Sequence, residues 1–386
     1  MRRATPARVI ALLLALSASA FGTDTAHFDQ RAVARIAQPP RGLPPLQLDT
    51  PPSVAAIALG RKLFFDRRLS RNGTMSCAMC HVPEQGFTQN DLATPIGVKG
   101  AALTRNAPSL YNVAYQRALF HDAREESLEL QVLGPLFAAN EMANPSAGFL
   151  LQRLRATPDY AGLFEAAFGR GPDLPAVGAA LAAYERSLLS ADSPFDRWRY
   201  GGDATALSPQ AQRGYALFVG RAGCAGCHLI GEQYALFTDQ ALHNTGVGAT
   251  PPPTPAAGPV QAEIMPGLTV PITLRAGAAK EPTPPRDPGR MGITDRPADA
   301  YAFKTPSLRN VALTAPYMHD GSLKSLEEVV RFYEAGGGGT AMVGSDRKML
   351  GLKESEIADL VAFLESLTGE NVAELALDGR SEKVRN

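Results

Sequence analysis

Two short runs carry most of the chemical information in this sequence of 386 residues. They read Cys77-Ala78-Met79-Cys80-His81 and Cys224-Ala225-Gly226-Cys227-His228, and they use all 4 cysteines of the chain. Cys-x-x-Cys-His is the attachment pattern of c-type haem: two thiols one turn apart bond to the porphyrin edge, and the adjacent imidazole becomes the proximal iron ligand. Cys77, Cys80, Cys224 and Cys227 are therefore expected to anchor two covalently attached haem c groups, with His81 and His228 on the irons. Paired cysteines also serve thioredoxin-like redox couples and zinc knuckles. Neither alternative calls for a histidine after both pairs.

The N-terminus agrees with export. Arg2 and Arg3 precede an apolar run from Val9 to Leu16 and then Ala18-Ser19-Ala20, the pattern of a secretory leader, here residues 1–20. The run is far shorter than the ~20 residues that span a bilayer, so a periplasmic protein without a membrane span after cleavage is expected. Lys plus Arg is 38 and Asp plus Glu is 38. A chain with no net charge has no field to recruit nucleic acid or an anionic membrane. Aromatic residues are 7% with one tryptophan, Trp198, which argues further against base stacking. The length suits two domains, and 45% hydrophobic residues excludes wholesale disorder.

The elements that must position the two motifs repeat along the chain. A helix with Gly-x-x-Leu-Phe precedes each: Gly60, Leu63, Phe64 and Gly214, Leu217, Phe218. Ser208 and Pro209 start the second such helix, with Ala211, Gly214, Tyr215 and Phe218 on one face. After each motif, Ala107-Pro108-Ser109-Leu110-Tyr111-Asn112-Val113-Ala114 matches Thr305-Pro306-Ser307-Leu308-Arg309-Asn310-Val311-Ala312. His121-Asp122 then pairs with His319-Asp320, and Ser127-Leu128-Glu129 with Ser325-Leu326-Glu327. A helix closes each half, with Val177, Leu181, Tyr184 and Leu188 on one stripe and Ile357, Leu360, Val361 and Leu364 on the other, ended by Gly369. The expected fold is all-α, with few or no strands. Two cytochrome c-like domains related by duplication, 21–190 and 208–386, are joined by a linker over 191–207. A Pro-rich insertion over 249–297 reads as a surface excursion, and Trp198 as a linker anchor or an electron-transfer residue.

A haem iron whose sixth position is filled passes electrons; one left open binds peroxide or oxygen. Tyr333 follows His319 by fourteen residues, and Pro135 follows His121 by the same fourteen. If that offset marks the distal side, the first iron is open and the second takes a phenolate. Peroxide chemistry also needs an acid/base. Near Pro135 stand Gln131 and Glu141, the latter a candidate acid/base or an ordinary helix-end carboxylate.

Taken together, these motifs resemble the bacterial di-haem cytochrome c peroxidase and MauG family. The resemblance rests on both Cys-x-x-Cys-His runs, the stretch from Asn106 to Asn112, the run from Leu133 to Met142, and the run from Pro306 to Gly321. It implies a peroxidatic haem in the N-terminal domain and an electron-transfer haem in the C-terminal domain. Glu141 falls on the family's acid/base, Gln131 and Pro135 on its distal pocket. Asn106, Thr314 and Pro316 fall on residues that hold a calcium ion between the haems, through one side chain and two carbonyls. Three departures matter. Ile96-Gly97-Val98 lacks the distal histidine of peroxidases that need reductive activation. Tyr333 stands where electron-donating members have methionine. His121 replaces the tryptophan between the haems, and Ala222 replaces a surface tryptophan of the MauG branch. Met318 and His319 are alternative ligands of the second iron that the repeat disfavours, and His243 has no supporting pattern.

The expected activity is reduction of hydrogen peroxide at the first haem, with oxidising equivalents passing through the second to an external donor. That donor is a small electron-carrier protein such as cytochrome c, or, as in the MauG branch, a protein being modified. The rival is a non-catalytic di-haem electron carrier.

Overall fold

The structure is a computed structural model, which describes residues 27–248, 259–265, 268–273, 286–338 and 350–382. The expected leader and much of the Pro-rich segment lie outside the described residues. The first half contains α1 (27–37), α2 (Val54–Phe65), α3 (Leu128–Gln131), α4 (Leu133–Phe137), α5 (Ala147–Ala156), α6 (Leu163–Phe168) and α7 (Leu174–Arg186). The second contains α8 (Pro194–Tyr200), α9 (Pro209–Val219), α10 (Met291–Thr294), α11 (Leu326–Glu334), α12 (Glu354–Glu365) and α13 (Val372–Ser381). Strands among the described residues are short. β1 (Leu242–His243) pairs antiparallel with β4 (Phe303–Lys304) at the foot of the Pro-rich segment, and β2 (Pro259–Met265) with β3 (Leu268–Thr273) within it. The mostly helical architecture agrees with the sequence reading; the β2–β3 hairpin inside the expected loop is an addition to it.

Two helix crossings organise the halves. α2 crosses α7 at Gly60, where a Cβ would lie 1.8 Å from the carbonyl oxygen of Ala180. α9 crosses α12 at Gly214, where a Cβ would lie 1.9 Å from that of Asp359. Only a hydrogen fits at either point, which is why both positions are glycine. One apolar cluster gathers Leu63, Phe64, Val177, Leu181 and Tyr184; a second gathers Phe218, Ile357, Leu360 and Phe363. The last helix, α13, returns to the first cluster through Leu375. It is tied there by the buried Arg61 guanidinium, which pairs with Asp378 and lies 2.9 Å from Asp29.

Several helix boundaries differ from the sequence reading. α7 ends at the cap Ser187, so Leu188 is buried beyond the helix, and α12 ends at Ser366, not Gly369. Gly369 instead passes against Ser190 and Ala191. Within residues 191–207, the segment read as a linker, α8 forms. Ser193 accepts from the Asp196 N–H while the Asp196 carboxylate accepts from the Ser193 N–H, and Pro194 pre-sets the first turn. α8 is locked to the second half by Arg309, whose guanidinium contacts both Asp196 oxygens at 2.9 Å with both side chains almost fully buried.

Candidate functional site

Each Cys-x-x-Cys-His run forms one 3-10 turn, Cys77–Met79 and Cys224–Gly226, which brings the following histidine N–H back to the first cysteine carbonyl. None of the 4 cysteines is in a disulfide. The imidazoles are oriented identically. His81 Nδ1 lies 3.0 Å from the Phe87 carbonyl oxygen, and His228 Nδ1 2.9 Å from that of Phe237. Donation from Nδ1–H to a carbonyl fixes the tautomer and leaves Nε2 with its lone pair, the arrangement a metal-bound histidine needs. Burial pushes the His81 pKa down, which keeps the ring neutral.

The loops that supply these carbonyls are held alike. Phe87 and Phe237 both have φ of 53°. Thr88 Oγ1 donates to the Ala107 carbonyl, and Thr238 Oγ1 to that of Thr305 at 2.7 Å. Ser109 donates to Gly86 O at 2.6 Å, and Ser307 to Leu236 O at 2.8 Å. The Phe-Thr pair after each motif was a signal in the sequence that went unread.

The paired cysteines do not suit the rival chemistries. Burial pushes the Cys80 thiol up to about 11 and Cys77 higher still, against the lowered pKa of a reactive dithiol. Among the described residues, one group of three metal-ligating side chains is close enough to share an ion: Cys227, Asp239 and His243. The two Cys-x-x-Cys pairs thus form no common zinc centre. His243 Nε2 contacts Asp239 at 2.8 Å, a partner the sequence did not reveal.

On the first half, Gln131 ends α3 and Pro135 lies inside α4. Proline has no N–H to return to residue 131 and its ring crowds that carbonyl, so the helix breaks at Val132. The matching α11 runs unbroken from Leu326 to Glu334 and carries Tyr333, half-buried against Phe332. Both segments start on the same device, Ser127 and Ser325 as N-caps. Glu141 follows α4 and is half-buried; loss of hydration raises its carboxyl pKa, opposed by Arg124. Its charge is felt at both Cys77 and Cys80, which places it beside the first motif. The segment Ile96-Gly97-Val98 runs against it: Val98 N–H donates to the Glu141 carbonyl at 2.9 Å, and a Cβ on Gly97 would lie 1.7 Å from Asn140 O.

Between the halves, Asn106 N–H donates to the His319 carbonyl at 2.7 Å, and His121 Nε2 donates to the Asn106 carbonyl across 3.0 Å. Burial lowers the His121 pKa to about 4, so this ring is neutral. His319 stacks on Phe303 with centroids 3.7 Å apart and planes 13° apart. The Asn106 side-chain amide donates to Ala93 O at 2.9 Å, and the Thr314 hydroxyl to Val311 O at 3.1 Å. Pro316 follows a cis peptide in the same segment as Thr314.

A second carboxyl, Glu185 on α7, escaped the sequence reading. It is buried, raises the Cys77 pKa, has no hydrogen-bond partner for Oε2, and is pushed up to about 8 by burial. The crossings align Ala180 with Asp359, so Leu364 holds the matching place in the second half.

Comparison with known proteins places the chain. Residues 54–205 match the family model described as di-haem cytochrome c peroxidase. The methylamine utilization protein MauG of Methylorubrum extorquens is 40% identical over 82% of this chain and 79% of its own length. Cytochrome-c peroxidase IdrP1 of Denitromonas iodatirespirans is 38% identical over 94% and 93%. The crystal structure of a MauG-like protein associated with microbial copper homeostasis superposes with a TM-score of 0.68 at 34% identity, covering 87% of this chain and 96% of that one. The chain belongs to the di-haem cytochrome c peroxidase and MauG family. It is a peroxidase-type oxidoreductase, and its cofactor is haem c.

Proposed function

We propose that the protein reduces hydrogen peroxide at a haem attached to Cys77 and Cys80 and ligated by His81. A second haem would be held by Cys224 and Cys227, with His228 and Tyr333 as the residues that would ligate it, and would supply electrons to this site. When bound, haem c supplies an iron centre that takes up peroxide and exchanges electrons. Everything else is the work of the chain. The Phe87 and Phe237 carbonyls hold the Nδ1 protons of His81 and His228 and so aim both Nε2 lone pairs. Pro135 offers no donor atom, and Val98 puts an alkyl group where an imidazole would compete for the first site. The Glu141 carboxyl takes the proton of the near peroxide oxygen and returns it to the far one, with the Gln131 amide as hydrogen-bonding neighbour. The observation that carries this reading is Glu141: a half-buried carboxyl with a raised pKa, beside Cys77 and Cys80 and backed by Val98.

The two halves are read as duplicated cytochrome c-like domains. A calcium ion held by Asn106, Thr314 and Pro316 is read as ordering their junction. A periplasmic location after loss of residues 1–20 completes the reading, and no described helix is long and apolar enough to cross a membrane. The electron donor is a small carrier protein such as cytochrome c. A second reading, oxidative modification of a partner protein, is favoured by Tyr333, because an anionic oxygen stabilises ferric iron against reduction.

Absorption spectroscopy of the oxidised protein tests the core of this. A high-spin component that changes on adding peroxide is expected. In Glu141→Gln that change should slow by about 10²–10⁴-fold. Two fully low-spin irons, inert to peroxide, would reduce the protein to an electron carrier. Steady oxidation of reduced cytochrome c selects the carrier-protein donor, and negligible turnover selects the modified partner.

A further inference from the structure

The two halves differ in where their aromatic side chains lead. In the second half, rings in contact run outward from the proximal histidine. Phe218 lies 6.4 Å from the His228 ring, Phe363 5.0 Å from Phe218, Tyr215 5.6 Å from Phe363, and Trp198 5.2 Å from Tyr215, all between ring centroids. Phe195 braces the outer end, 5.9 Å from Tyr215 and 6.3 Å from Trp198. Tyr215 and Trp198 are the two oxidisable rings of this series, and both are half-buried, open in part to solvent. The glycine crossings align the halves, Gly60 with Gly214, and so Arg61 with Tyr215 and Tyr184 with Phe363. In the first half the corresponding series reaches Tyr184, 5.2 Å from Phe64, and the only ring beyond it is the buried Phe65, 6.3 Å away. Tyr184 is fully buried, and its hydroxyl has no hydrogen-bond partner to take a proton. Beyond it stands Arg61, a guanidinium that cannot be oxidised, fixed between Asp29 and Asp378. Packing alone does not require this difference, since Arg and Tyr both fill the position next to a glycine crossing.

We propose that Trp198, reached from His228 through Phe218, Phe363 and Tyr215, is the place where oxidising equivalents leave the protein. This rests on the peroxidase reading above. The indole gives up one electron toward the second haem site and its N–H proton to solvent, and an external donor restores the electron as solvent returns the proton. Two such cycles supply the two electrons that, with two protons, convert one hydrogen peroxide into two waters. Peroxide is the oxidant and the external donor the reductant.

The test uses the haem-loaded protein, treated with peroxide and no donor, then frozen for electron paramagnetic resonance and digested for mass spectrometry. The expected result is an indole-type radical and oxygen added to Trp198. In Trp198→Phe, the spectral change on adding peroxide should persist, the indole signal should vanish, and oxidation of reduced cytochrome c should fall by about tenfold. Tyr215→Phe keeps the ring packing and should slow formation of the Trp198 radical. A haem spectrum that responds to peroxide while Trp198 stays unoxidised, or donor oxidation unchanged in Trp198→Phe, would overturn the route and leave the peroxidase reading standing. A haem spectrum that peroxide does not move would overturn both.

Discussion

Gly214→Ala is expected to loosen the half that carries the second haem motif, and the size of the effect follows from the crossing. The added methyl would lie 1.9 Å from the Asp359 carbonyl oxygen, 2.6 Å from its carbon and 2.8 Å from the Phe363 Cβ. Non-bonded heavy atoms settle at about 3.5–4.0 Å, so α9 and α12 must part by roughly 1.5 Å. Two of the three obstacles are backbone, which cannot rotate away. A gap of that size forfeits more than about half of the dispersion attraction along the seam, and overpacking of this kind costs ~1–3 kcal/mol. At ~3 kcal/mol, and ~2–4 °C per kcal/mol for a unit of about 150–250 residues, the unfolding midpoint should fall by ~6–12 °C. Far-ultraviolet circular dichroism of the haem-loaded protein measures it. Gly148→Ala is the control, because a Cβ there meets only the Ser146 hydroxyl oxygen at 3.8 Å, an ordinary contact, and the backbone is not left-handed. Equal midpoints for the two variants would refute the argument that close backbone approach, and not chain flexibility, fixes glycine at 214.

Two further outcomes follow from single side chains. Glu185 has a folded pKa of about 8 against an ordinary 4.5, so the folded state holds the extra proton between those values. Its contribution to stability is full below pH 4.5 and is lost as pH rises through about 8, a slope that Glu185→Gln should remove from the midpoint measured against pH. Parallel slopes in both proteins would place the titrating group elsewhere. Tyr333→Met exchanges an anionic oxygen for a thioether and should raise the reduction potential of the second haem in a spectroelectrochemical titration. An unchanged potential would remove Tyr333 from the iron.

How much was legible in the sequence varies with the range over which the cause acts. The Cys-x-x-Cys-His turns, the Ser208 cap and the helix with Gly214 were readable because each depends on residues a few positions apart. The break in the helix at Pro135 has a cause within one turn, yet the comparison with Tyr333 drew from that proline only its lack of a ligating atom. α8 went unread inside the segment taken as a linker although Ser193-Pro194-x-Asp196 spelled a capping box; the turn-forming residues around it masked the signal. β1 and β4 were invisible, since two-residue strands paired across some sixty positions leave no periodicity.

By itself, the sequence determined which residues are suited to anchor a porphyrin, how many times, and in what kind of helical surroundings, because bonding type and local spacing are properties of neighbouring residues. Tertiary structure alone decided which carbonyl holds each imidazole proton, that Glu185 lies buried with an unsatisfied oxygen, that α13 returns to the first core, and that the rings from His228 lead out to Trp198. Those are facts about hydration lost and distances closed between residues far apart in the chain, and they come into being only when the helices pack.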